Sequence, residues 1–246
     1  MAKSSPSAQR ILALDIGGTG LKAGVIDGNG KLVGKPLWLQ TPHRPAPKKL
    51  VKKLVELTAA VPKSGYARVA AGFPGVIRRG VVLTSPTLGN PKLNGFNLEK
   101  ALAAALGKPV RLVNDAEMQG YGTIRSQGLE MVVTLGTGFG SALFLDGQST
   151  PHLELSTHEF RHYETYNQQL GKAALDRIGK RKWNHRVLKM IESLEALVHF
   201  DHLYIGGGNS DKVSFKLPRH VSLTPNVNGL KGGAWVWKKG SEASPR

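Results

Sequence analysis

Two short glycine turns, each holding a threonine and each set between apolar runs, are the first places in this chain where chemistry is expected. Gly17-Gly18-Thr19-Gly20 separates an apolar run at 10–16 from another at 21–26, and Gly136-Thr137-Gly138 separates 131–135 from 139–145. Backbone N–H groups approach an anion closely where no Cβ intervenes, and a hydroxyl adds a donor, so both turns suit phosphate. Neither is a GxxxxGK[ST] loop nor a GxGxxG opening a helix. Asp15 closes the first run beside its turn, where a carboxylate can hold Mg²⁺ through water or simply cap the turn. His158-Glu159-Phe160-Arg161-His162 has the HExxH spacing, which on a helix would offer two imidazoles to zinc. Residues 150–164 carry no apolar stripe that would bury such a helix, so the stretch reads as a loop.

The elements that must hold these groups follow from the apolar pattern. Short strands are expected at 10–16, 21–26 and 31–39, with Asp27-Gly28-Asn29-Gly30 as a hairpin signal, so the three are antiparallel. Leu50, Leu54, Leu57 and Val61 recur at helical spacing, with Lys48, Lys49, Lys52 and Lys53 gathered on the other side. Strands at 67–73 and 81–84, a helix at 98–106 and a strand at 110–113 continue an α/β alternation. A helix at 116–125, strands at 131–135 and 139–145 and the turn Asp146-Gly147 then repeat the order of the N-terminus, which reads as an internal structural repeat. Residues 165–199 read as helices broken near Ile178-Gly179-Lys180, followed by strands at 202–205 and 221–223 and a last helix at 229–237, where Trp235 and Trp237 are candidate core anchors. Two α/β domains are expected, 10–113 and 114–240.

Composition narrows the chemistry further. The 246 residues include no cysteine, which excludes disulfides, thiolate nucleophiles and Cys-ligated zinc. Thirty-four Lys and Arg face 17 Asp and Glu, a net charge of +17 shared by both halves, +11 in residues 1–150 and +6 in 151–246. Such a balance points to an anionic substrate or to general affinity for polyanions. Lys48, Lys49, Lys52 and Lys53, and Lys180, Arg181, Lys182, Arg186 and Lys189, can track a long phosphate chain or serve as solvated faces. The start, MAKSSPSAQR, lacks an apolar stretch and no run is long enough for a membrane span, so a cytoplasmic protein with no membrane partner is expected.

The runs LALDIGGTGLKAG (12–24), AGFPGVI (71–77), LVNDAE (112–117), VVTLGTGFGSALFLDG (132–147) and LYIGGGNS (203–210), in this order and spacing, resemble the ROK family of sugar kinases, nearest to its polyphosphate glucokinase branch. The resemblance covers nearly the whole chain from Ile11 to Ala234. It implies the actin-like ATPase (ribonuclease H-like) fold, two α/β domains around a cleft, commonly as a dimer. By the same resemblance Asp15, Gly17, Gly18, Thr19 and Lys22 match the first phosphate motif, with Asp15 toward Mg²⁺. Gly136, Thr137 and Gly138 match the second, and Gly206, Gly207 and Gly208 match the turn that lies near the adenosine in ATP-using members. Asp115 matches the general base and Asn114 its sugar-binding neighbour, with a helix N-cap as the alternative role for Asp115. Gly75, Asn90 (with Asn94 as a rival), Glu154, His158 and Asn167 match the sugar-binding positions. The chain departs from the pattern where Ser156-Thr157 stand in place of the expected Gly-His, and where Asn167, with Glu164 nearby, stands in place of a second Glu.

The activity implied is phosphoryl transfer from polyphosphate or ATP to the 6-hydroxyl of glucose or a similar hexose. Two alternatives accompany it: an ATP-dependent hexokinase for another sugar, and a non-catalytic relative that binds sugar or polyanion. A ROK-type repressor is disfavoured, because no helix-turn-helix is expected in the roughly ten residues before the first strand, and no specific nucleic-acid partner is expected.

Overall fold

In a computed structural model that describes residues 10–225 and 228–238, the chain forms two compact α/β units. The first begins with β1 (Ile11–Ile16), antiparallel to β2 (Gly20–Ile26), which pairs antiparallel with β3 (Leu37–Gln40). Helix α1 (Pro47–Thr58) leads to β4 (Arg68–Phe73), parallel to β1, and then to the small hairpin of β5 (Ile77–Arg78) and β6 (Val81–Val82). Helix α2 (Leu98–Leu106) returns to β7 (Val110–Asn114), parallel to β4, and α3 (Asp115–Tyr121) follows at once. The sheet order is β3-β2-β1-β4-β7.

The run ILALDI of β1 is apolar almost throughout because both of its faces are covered. Leu12, Leu14 and Ile16 pack with Leu50 and Leu54 of α1 and with Leu98 and Leu102 of α2 in one buried cluster. Each such leucine contributes roughly 1.5–3 kcal/mol of burial. Pro47 opens α1 at a position where its missing N–H costs nothing, and Gly107, at φ 66°, closes α2 in the left-handed conformation.

The second unit, residues 123–225 of the described chain, repeats the plan. β8 (Leu129–Leu135), β9 (Phe139–Leu145) and β10 (Gln148–Ser149) are antiparallel neighbours. After the hairpin of β11 (Glu159–Arg161) and β12 (Glu164–Thr165) come helices α4 (Tyr166–Leu170) and α5 (Lys172–Val198), then β13 (His202–Gly206) parallel to β8 and β14 (Val221–Leu223) parallel to β13. The order β10-β9-β8-β13-β14 places its strands as the first sheet does, two antiparallel neighbours on one side of the leading strand and two parallel ones on the other, as the internal repeat implied. Trp183, Val187, Met190 and Leu194 of α5 pack on Met131, Val133, Leu203 and Ile205, and the Trp183 indole donates to the Leu170 carbonyl at 3.0 Å. The expected break falls at Gly179, with φ 77° and ψ 160° inside α5.

The division of the chain differs from the expected 10–113 and 114–240. The first unit extends to Gly122, and described residues 228–238 return to it as α6 (Asn228–Lys231) and α7 (Gly233–Lys238), in place of one helix over 229–237. Packing is the reason. A Cβ at Gly232, between the two helices, would collide with the Met118 carbonyl of α3, and one at Gly233 would stand 3.1 and 3.2 Å from the Ala70 and Ala13 methyls. Trp237 then anchors the end: its indole N–H donates to the Val69 carbonyl at 3.1 Å, and the Arg111 guanidinium lies 4.4 Å from the ring centre while donating to the Val236 carbonyl. Among the described residues no helix is long and apolar enough to cross a membrane.

Candidate functional site

In the first unit the β1–β2 turn is closed by Gly17 N–H donating to the Gly20 carbonyl at 3.0 Å. The end of β3 holds it from outside, with the Thr41 hydroxyl on the Gly17 carbonyl at 2.7 Å and the Thr41 N–H on the Thr19 carbonyl at 3.1 Å. Asp15 and Lys22 are cross-strand partners, with Nζ 3.3 Å from Oδ2, and Thr19 is exposed at the rim. Next across the sheet from Lys22 is Trp38, 58% exposed, whose indole nitrogen fills the space a Cβ at Gly20 would need.

At the far end of the same sheet β7 runs directly into α3, and the two residues of the junction divide the work. Asn114, 4% exposed, is the N-cap: its Oδ1 accepts from the Ala116 and Glu117 N–H groups, and Glu117 reaches back to the Asn114 N–H at 3.2 Å. Its Nδ2 donates to the Gly75 carbonyl at 3.1 Å. Gly75 has no room for a side chain, since a Cβ there would collide with the Thr84 carbonyl. The capping role set as the alternative for Asp115 therefore belongs to Asn114. Asp115 is the first helical residue, half-buried, with Oδ1 accepting the Ala116 N–H at 2.8 Å. Asn90 caps the short turn Pro91–Leu93 through Oδ1 and donates from Nδ2 to the Arg44 carbonyl, whereas exposed Asn94 accepts from the Ser85 hydroxyl.

In the second unit the two remaining glycine turns meet. Gly136 N–H donates to the Gly138 carbonyl, and the Gly136 carbonyl accepts from Lys172 N–H and from Asn209 Nδ2, each at 2.9 Å. Gly207 adopts φ 87°, and a Cβ there would lie 2.5–2.7 Å from the Leu135 backbone, so the 206–208 turn lies directly on the 136–138 turn. Asn167 joins them: its Oδ1 accepts the Phe139 N–H at 2.9 Å. Glu154 lies on the segment after β10, with Oε1 accepting from the backbone and hydroxyl of Ser156 and Oε2 3.8 Å from His152 Nε2. Burial pushes the Glu154 carboxyl up, but the His152 and Ser156 contacts outweigh it and hold it below its ordinary value.

His158 is exposed, with Nδ1 2.8 Å from the Glu159 carbonyl, and the HExxH stretch is strand and turn rather than helix: Glu159–Arg161 form β11 and His162 adopts φ 54°. Two imidazoles on one helix face are thus not formed, and among the described residues no group of three His, Asp or Glu is placed to hold a metal ion. Thr41, Asn209 and Ser156 were missing from the expected set. Asn209 follows the third glycine run and was legible there as a turn residue, while Thr41 lies 24 residues beyond the turn it holds and carried no signal.

The ROK family model matches residues 11–151. The polyphosphate glucokinase of Mycobacterium leprae is 30% identical over 249 residues, covering 93% of this chain and 74% of that protein. That of Mycobacterium tuberculosis (strain H37Rv) is 28% identical over 242 residues, covering 90% and 88%. Among solved structures, the inorganic polyphosphate/ATP-glucomannokinase of Arthrobacter sp. strain KM superposes with a TM-score of 0.83 at 27% identity, over 92% of this chain and 97% of its own. A ROK family glucokinase of Streptomyces griseus, at 18% identity, shares the fold with a TM-score of 0.73, over 92% and 98%. The fold is the actin-like ATPase fold. With its ordered glycine turns, its Asn-Asp junction and a family match across more than half of its residues, the chain belongs to the ROK family.

Proposed function

We propose that this chain is a sugar kinase that transfers a phosphoryl group from inorganic polyphosphate or ATP to the 6-hydroxyl of glucose or a similar hexose. The observation that carries the reading is the β7–α3 junction, where Asn114 satisfies the helix end and anchors Gly75, so that the Asp115 carboxylate is held in place without being consumed as the cap. In the proposed step the hydroxyl oxygen attacks the terminal phosphorus, Asp115 takes the hydroxyl proton, and the bond to the bridging oxygen breaks with its electron pair leaving on the shortened donor. The Gly17–Gly20 and Gly136–Gly138 turns offer backbone N–H groups, and Thr19, Thr137 and Lys22 offer further donors, to the donor phosphates. Mg²⁺ fits Asp15, a single carboxylate beside a phosphate turn, because that ion keeps several waters and takes few protein ligands; when bound it neutralises donor charge. Gly75, Asn114, Glu154, His158 and Asn167 serve the sugar, together with Asn90 or Asn94.

A second donor is supported by a pocket of about 430 Å³ lined by Lys180, Arg181, Asn184, His185, Leu188, Ser214 and Phe215. Its lining includes Ser214 and Phe215, in the segment between the Gly206–Gly208 turn and β14, and it combines an apolar wall with cations, a setting suited to a nucleotide. The test is glucose 6-phosphate formation with glucose and Mg²⁺, run in parallel with polyphosphate and with ATP, with Asp115→Ala as control. Product that disappears in the variant supports the base; product from ATP alone removes polyphosphate as donor, and none from either donor leaves a sugar-binding relative.

A further inference from the structure

Away from the glycine turns, the second unit gathers three guanidinium groups around one carboxylate. Arg161 of β11 stands opposite Glu164 of β12 in the hairpin register. Glu164 is engaged from two more sides, by Arg177 Nη2 at 3.3 Å and by the Gln169 side-chain amide. The Gln169 backbone carbonyl in turn accepts from Arg186 Nη1 at 3.3 Å, and Gln169 itself is 2% exposed, so the cluster is built on a buried support. Among the described residues Glu164 forms its ion pair with Arg177, while Arg161 and Arg186 form none. Burial, and then the neighbouring Arg177, hold the Arg186 guanidinium below its ordinary value, with Arg161 adding to the effect and Glu164 opposing it. That is crowded positive charge with one counter-charge among three.

The place of the cluster gives it a direction. Gln169 belongs to α4, whose Asn167 holds the Phe139 N–H, and the Lys172 N–H just beyond that helix holds the Gly136 carbonyl. Arg186 reaches this helix through the Gln169 carbonyl, so α4 braces both the arginine cluster and the second phosphate turn. The Lys172 side chain is already paired with Asp176 at 2.9 Å, whereas Arg161 and Arg186 hold no ion pair among the described residues and are open to an anion.

We propose that Arg161, Arg177 and Arg186 form a subsite for phosphate groups of an inorganic polyphosphate chain beyond the group being transferred. The proposal rests on the donor reading above. A phosphate on a sugar product has the same chemistry, so the two sources must be separated by experiment. The double variants Arg161→Gln/Arg186→Gln and Arg161→Lys/Arg186→Lys are compared with the wild-type full chain. Binding of long-chain polyphosphate, tripolyphosphate and glucose 6-phosphate is measured by calorimetry at two salt concentrations, alongside thermal midpoints. The glutamine pair is expected to weaken long-chain binding by about three- to tenfold and to flatten its salt dependence, with a smaller change for tripolyphosphate. The lysine pair keeps the charge and stays near wild type; if the glutamine pair fails to fold, the single variants Arg161→Gln and Arg186→Gln carry the test, each expected to weaken long-chain binding by about two- to threefold, and unchanged binding in both overturns the subsite. Equal weakening for both chain lengths, no weakening, or a loss confined to glucose 6-phosphate overturns the subsite. Binding is read without turnover, so a wild-type chain that binds polyphosphate but makes no product removes the kinase reading and leaves the subsite. A wild-type chain that makes product while the glutamine pair binds unchanged removes the subsite alone, and a wild-type chain that binds no polyphosphate removes both.

Discussion

Asn114 and Asp115 are neighbours of nearly equal size, yet their chemistry separates at the helix end. The amide caps α3 and reaches Gly75, and the acid is left at the first helical position with a short local bond to Ala116. Replacing Asp115 by Asn removes the base and keeps the shape. It is expected to lower kcat by about 10²–10⁴-fold with little change in KM for glucose or in thermal midpoint, as steady-state kinetics and a melt on the same sample would show. Asn114→Ala should instead cost about 1 kcal/mol of stability through the lost cap, read as a lower denaturation midpoint. Glu154 supplies a pH test. Its folded value lies below the ordinary one, so its contribution to stability is present above the ordinary carboxylate range and fades as pH falls through the lowered value. Ser156→Ala removes one of the contacts that lower it, so the melting midpoint of that variant should fall by less on acidification than that of the wild type, with the fall complete at a higher pH; superimposable curves would contradict this. Ser156 stands where a glycine was expected, and sequence alone marks it as a departure. The hydroxyl contact with Glu154 that gives it work arises from a tight local turn that spacing does not reveal.

Among the elements, the glycine turns differ in what their glycines do. Gly207 is required by the fold, at φ 87° and against the Leu135 backbone, so Gly207→Ala should destabilise by about 1–3 kcal/mol from backbone strain alone, and by more from the clash, in a chemical denaturation series. At Gly136 the position a Cβ would take has nothing within 4 Å, so Gly136→Ala should leave stability nearly unchanged while raising KM for the phosphoryl donor. Local pattern made several elements legible. Helix α2 spans Leu98–Leu106 as its leucine spacing predicts, and α1 shows its basic outer face and leucine inner face over Pro47–Thr58. Elements set by distant contacts were less legible. The 31–39 strand shrinks to Leu37–Gln40, preceded by a single bridge from Leu32 to Ile26, because the residues between form the connection into the sheet edge. The HExxH spacing resolves into a hairpin because Tyr166 N–H and its neighbours draw the stretch onto α4 rather than into a helix of its own.

For the molecule as a whole, the net charge of +17 is carried mostly by the first unit, +15 in residues 1–122 and 227–246 against +2 in residues 123–226, and it predicts how donors respond to salt. A long polyphosphate meets more cations than ATP does, so added salt between about 50 and 200 mM should raise KM for long-chain polyphosphate more steeply than KM for ATP. Parallel slopes would mean that the excess charge serves solubility. The repeat of strand order between the sheets was legible from the two strand, glycine-turn, strand runs, whereas the return of the C-terminal helices to the first sheet was not. It depends on Gly233 meeting Ala13 and Ala70, small residues that carry no pairing signal at such separation. That return bears on how the protein is made. A ribosome releases β1 first, yet the sheet around it lacks its cover over Ala13 and Ala70 until Trp237 has emerged, while the second unit is one uninterrupted stretch that can close as soon as β14 is out. The part synthesised first is therefore the part finished last. A nascent chain arrested just after β14 should already shield Trp183 from quenchers while β1 and β4 are still open to protease.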